Sequence, residues 1–123
     1  MRLEEVALAL GAEVAVAGES SRREITAAGA ADLLSDVLYF GKPSMLLLTG
    51  LTEPSVVRAA QVMEISALVF VRGKRPGEEV IHLAREAGIS VLISPHSMFD
   101  CCGRLYVRGL PGVILPAGQT AAG

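Results

Sequence analysis

The stretch MLLLTGLTEPSVVRAAQVMEISALVFVRGKRPGEEVIHLAREAGISVLIS, Met45–Ser94, decides the fold. Three apolar runs, 45–49, 67–71 and 89–94, are each bounded by turn residues. Runs that are apolar at every position, rather than at alternate ones, predict strands buried on both faces. Between them lie two segments with helical period. In 54–64 the residues Val56, Ala59, Ala60 and Met63 share one face; in 76–87 Val80, Leu83, Ala84 and Ala87 do. Pro54 and Pro76 stand at or near the first helical position, where a missing N–H costs nothing. Gly88 ends the second helix. Strand, helix, strand, helix, strand with short links is the βαβ plan, and right-handed crossovers make such strands parallel.

Working outward, "SPHS" leads into a helix over 96–106 that aligns Phe99, Cys102 and Tyr106, and "VIL", 113–115, predicts a last short strand. Toward the N-terminus, Leu3, Val6, Ala7 and Leu10 stripe one helix, which Gly11 ends. "EVAVAG", 13–18, and "ITAAG", 25–29, predict short strands around a polar loop. Ala30, Leu33, Leu34 and Val37 predict a helix over 30–40, closed by Gly41 and Pro43, with Asp32 and Ser35 as a helix-start feature. The expected fold is an α/β layered sandwich with a mostly parallel central sheet flanked by helices. It spans 1–116 as a single domain, with a flexible tail over 117–123.

Composition narrows the function. At 123 residues the chain can bury a core without disulfides or metal. The net charge is −2, aromatics make up 4%, and there is no Trp, which argues against nucleic acid as a partner. Mean hydropathy is +0.48, yet no apolar run nears a membrane-spanning length, and "MRLEEVALAL" does not resemble a secretion signal. A cytoplasmic protein with no membrane partner is expected. Cys101 and Cys102 are neighbours, a spacing ill-suited to a disulfide. With only His82 and His96 beside them, no metal site is expected, and one thiol should be buried and the other half-exposed.

If the three central strands are parallel, their C-terminal ends form one rim, where open α/β sheets place ligands. The turns Thr49-Gly50-Leu51-Thr52, Arg72-Gly73-Lys74-Arg75 and Ser94-Pro95-His96-Ser97 gather there, each feeding a helix N-terminus that favours anions. As ligand-binding candidates this rim offers Thr49, Gly50, Thr52, Arg72, Gly73, Arg75, Ser94 and Ser97. The competing reading is solvated charge on a turn, with Lys74 or Arg75 paired to Glu78 or Glu79. No phosphate-loop pattern is present: "RGKRPG" has no Ser or Thr after its Gly-Lys. Nor is there a set of nucleophile, base and orienting group, since Ser94, His96, Ser97 and Asp100 lie within seven residues of one another. No cofactor and no catalysis are expected.

The segment LLLTGLTEPSVVRAAQVMEISALVFVRGKRPGEEVIHLAREAGISVLISPHSMFDCCGRL, 46–105, resembles the DRTGG domain, and "ITAAGAADLLSDVL", 25–38, resembles that family's lead-in. Leu51-Thr52 stand where the family's Asp-Arg would be. Val71-Arg72-Gly73 stand where its Thr-Gly-Gly would be, so Gly73 alone is kept, while Arg75-Pro76 matches well. The resemblance implies an α/β domain like those between CBS domains of regulated pyrophosphatases, beside phosphotransacetylase domains, or standing alone. The fold would be similar to the N-terminal domains of HPr kinase and Mur ligases. It implies a regulatory or dimerising module. The expected function is a non-catalytic regulatory or assembly module acting as a homodimer, with an unidentified protein partner in reach. The dimer is suggested by the apolar excess around Met98, Phe99, Tyr106 and Val107. The alternative is a sensor of a nucleotide or other phosphorylated anion at the rim.

Overall fold

The structure, a computed structural model, describes residues 1–116. The tail expected over 117–123 lies outside them. In chain order the elements are α1 (Leu3–Leu10), β1 (Glu13–Val16), β2 (Ala27–Ala30), α2 (Leu34–Phe40), β3 (Met45–Thr49), α3 (Pro54–Val62), β4 (Ala67–Phe70), α4 (Glu78–Ala87), β5 (Ser90–Ile93) and α5 (Met98–Tyr106), with a 3-10 turn at Glu19–Arg22. The five strands form one sheet in the order β1-β5-β4-β3-β2. The pairs β2–β3, β3–β4 and β4–β5 are parallel, and β1 is antiparallel on β5. The mostly parallel layered sandwich read from the sequence is the fold observed.

Every residue of β3, β4 and β5 is buried. Successive side chains serve opposite faces, as a strand requires. Met45, Leu47, Leu68, Phe70 and Val91 meet Val56, Val57 and Ala60 of α3 and Val80 and Ala84 of α4. Leu46, Leu48, Val69 and Leu92 meet Leu3, Val6 and Leu10 of α1 and Cys101 and Leu105 of α5. Two cores on one sheet explain why these strands read as unbroken apolar runs. On the first face α2, α3 and α4 lie side by side; on the other, α1 packs against α5. Among the described residues no helix is long and apolar enough to cross a membrane.

Three expectations are corrected. The second strand is Ala27–Ala30, not 25–29, because Ala27 to Ala30 pair in register with Met45 to Leu48. Consequently the next helix starts at Leu34, not at 30. No strand forms over 113–115. Gly112 makes an isolated bridge to Ala28, fixed by Ala28 N–H to Pro111 O and Val113 N–H to Ala28 O, each 2.9 Å. This strap covers the outer edge of β2, a short strand of small residues that would otherwise be left open.

Phe70 is fully buried between the sheet and its helices. Replacing it with Ala should cost about 3–5 kcal/mol by chemical denaturation, whereas Val62→Ala, at an exposed site on α3, should stay within about 0.5 kcal/mol.

Candidate functional site

The crossovers α2, α3 and α4 return on one face of the sheet, and α5 leaves β5 for the other. The parting therefore falls between β4 and β5, where α/β sheets open a crevice for ligands. Here the crevice is laced shut. Arg72 N–H donates to His96 O at 2.8 Å, and Gly73 N–H donates to Ser94 O at 2.7 Å. Arg72 and Gly73 both hold left-handed backbone, φ 58° and 66°. Two such residues in a row make a mirror-image turn, closed by Lys74 N–H donating to Val71 O at 3.1 Å, which leaves the N–H groups of Arg72 and Gly73 for other partners. These two N–H groups are already occupied by the neighbouring loop.

The second half of the rim centres on Gly50. Its buried N–H donates to Asp32 Oδ1 at 2.7 Å, and its carbonyl accepts from Lys74 Nζ at 3.2 Å. The Arg72 guanidinium lies over the same glycine: Nη2 is 3.7 Å from where a Cβ would stand, and Asp32 Oδ1 is 3.2 Å from that point. Sequence reasoning treated Asp32 as a helix-start residue and missed this role. The signal was the length of β2: once that strand runs to Ala30, Asp32 falls on the rim.

The sequence candidates divide in two. Thr49 is fully buried, and its hydroxyl oxygen accepts from Leu51 N–H at 3.0 Å. Ser94 is also fully buried; its hydroxyl donates to Leu10 O at 2.8 Å and accepts from Cys101 Sγ at 3.4 Å. Ser97 caps α5 by accepting Asp100 N–H at 3.1 Å. These three are committed to the fold. Gly50 and Arg72 stand together on the rim, Gly73 follows Arg72 in the same turn, and Thr52 is half-buried in the loop after β3. Arg75 stands apart from these four, at the β1 end of the rim. Its guanidinium reaches across to the Glu13 carboxylate on β1, Nη1 lying 3.2 Å from Oε2. The ion pairs expected from Lys74 or Arg75 to Glu78 or Glu79 do not form among the described residues. Arg72 and Lys74 make no ion pair there either.

Burial raises the Cys101 thiol above its ordinary pKa, and burial followed by the charge of Cys101 raises that of Cys102. Neither is poised as a thiolate nucleophile. Cys101 is buried and Cys102 half-buried, as expected. His82 stands exposed on α4, 3.1 Å from Glu86 one turn on. Among the described residues no cluster of His, Cys, Asp and Glu has the makings of a metal site.

The DRTGG domain model matches residues 5–106, most of the chain. The chain belongs to the DRTGG domain family. No curated protein matches it significantly. Among solved structures it is similar to the CBS and DRTGG domains of the regulatory region of Clostridium perfringens pyrophosphatase, complexed with its activator, diadenosine tetraphosphate. The TM-score is 0.72 at 21% identity, covering 94% of this chain and 51% of that one, so this chain spans about half the pyrophosphatase fragment. At this identity the likeness establishes the fold. Within the family frame, Arg72 takes a left-handed backbone where the name-giving motif has its first glycine, a conformation unfavourable for a side chain with a Cβ.

Glu13 has its pKa lowered, first by its hydrogen bonds from Arg75, whose own pKa the pair raises. A lowered carboxylate pKa stabilises the fold fully above the ordinary glutamate value of 4.5 and less as pH falls through the folded value. The stability difference between the native protein and Glu13→Gln should therefore be present at neutral pH, vanish in acid, and shrink with added salt because both groups are exposed. Denaturation curves across pH at two salt concentrations check this.

Proposed function

We propose that this DRTGG domain is a non-catalytic regulatory or assembly module that works as a homodimer in the cytoplasm, able to receive a further protein partner. One observation carries the reading. Phe99, Tyr106 and Val107 are 85%, 72% and 79% exposed, the first two on α5 and Val107 at its C-cap. Large apolar side chains grouped on one element of a small domain are a mark of association surfaces. Two supports stand beside it. The backbone N–H groups of Gly50, Arg72 and Gly73 are all engaged within the protein, which leaves none of the three for an anion. The similar domain in the pyrophosphatase belongs to that enzyme's regulatory region.

A second reading, a sensor of a nucleotide or other phosphorylated anion, is favoured by Arg72. Its guanidinium lies over Gly50 without a carboxylate partner among the described residues, and Lys74 stands beside it. The pyrophosphatase region was captured with a nucleotide activator, which makes diadenosine tetraphosphate and simpler adenine nucleotides the compounds to try first.

Sedimentation velocity at micromolar concentration should give a dimer, and the pair Phe99→Glu with Val107→Glu should give a folded monomer. A wild-type monomer over the whole range contradicts the leading reading. For the second reading, a nucleotide at a hundredfold excess over its Kd should stabilise the fold by about 2.7 kcal/mol in a thermal-shift assay. Arg72→Ala should abolish that shift; a shift that survives removes Arg72 from the site.

A further inference from the structure

Gly103 lies in the middle of α5, and nothing inside the protomer accounts for it. Glycine is the poorest helix former after proline, so an exposed one in a helix interior calls for a reason. It does not hold a left-handed backbone. A Cβ built on it would meet no atom within 4 Å. Steps of 100° per residue set Gly103 opposite Cys101 and Leu105, the two residues that bury α5 on the sheet. Phe99, Tyr106 and Val107 surround it on that outer face. The result is a notch without a side chain, ringed by large apolar groups. Such a notch suits another backbone approaching more closely than a side chain would allow.

We propose that the outer face of α5 packs against α5 of a second copy, antiparallel, with the two helices crossing at Gly103. The proposal rests on the homodimer reading above and specifies its geometry. Positions equidistant from the crossing then meet: Phe99 of one copy packs on Val107 of the other, and Asp100 faces Tyr106. The charges agree with this order. Asp100 lies in the first turn of α5, while Arg104 lies in the last turn and Arg108 just beyond it, all three exposed. An antiparallel pair brings the acidic end of each helix to the basic end of the other, and opposes their dipoles favourably. A two-fold axis through Gly103 makes one surface serve as its own partner.

Disulfide trapping in a Cys102→Ser background tests the crossing. Gly103→Cys should form a covalent dimer rapidly under mild oxidant. Phe99→Cys mixed with Val107→Cys should form a mixed covalent dimer, while each alone forms little. Gly103→Leu, placed in open space, should leave the protomer folded and weaken dimerisation at least tenfold. A dimer in sedimentation with neither trap forming overturns the α5 crossing and leaves the homodimer standing. Phe99→Cys trapping itself while the mixture fails overturns the antiparallel order. A dimer undisturbed by Gly103→Leu overturns the notch, and a monomeric wild type overturns both this proposal and the reading beneath it.

Discussion

Three neighbouring strands whose residues are all buried force the rest of the architecture. A sheet apolar on both faces must be covered twice, and parallel strands need crossovers long enough to hold helices. The chain meets both demands with α2, α3 and α4 on one side and α1 with α5 on the other. The same constraint gathers the outgoing loops of β3, β4 and β5 at one rim. It also leaves α5 half committed: Cys101 and Leu105 face the sheet, while Phe99, Gly103, Tyr106 and Val107 face away.

The rim has the composition of an anion site and the wiring of a structural joint. Backbone groups in tight loops must find partners. Here the loop after β4 finds them in the loop after β5, and Gly50 finds Asp32 and Lys74. Arg75, at the β1 end of the rim, is engaged by Glu13. What stays open to a ligand is Arg72 over Gly50. The outer face of α5, by contrast, presents apolar area that nothing within the described residues covers.

The centre of the fold was legible because β3, β4 and β5 are buried on both faces and the helices between them carry a plain 3.6-residue stripe. The family likeness rested on that same centre. The ends were less legible. Ala27–Ala30 is a strand of Ala and Gly with no apolar period to mark its limits; its bounds come from pairing with β3. That shift hid Asp32, whose partner is 18 positions away. The Arg75–Glu13 pair spans 62 positions and depends on β1 reaching the edge beside β5, a contact that no local pattern encodes. The apolar group on α5 was visible as residue types. The significance of Gly103 emerged only when the surrounding space proved empty.

Hydrogen–deuterium exchange of the full chain, followed at protein concentrations well above and well below the self-association midpoint, tests most directly whether outward chemistry resides on α5 or on the rim. The account predicts slower exchange at high concentration in residues 98–108, with the loops at 49–53 and 72–75 unchanged. Protection gained at those loops, with α5 indifferent to concentration, would contradict it.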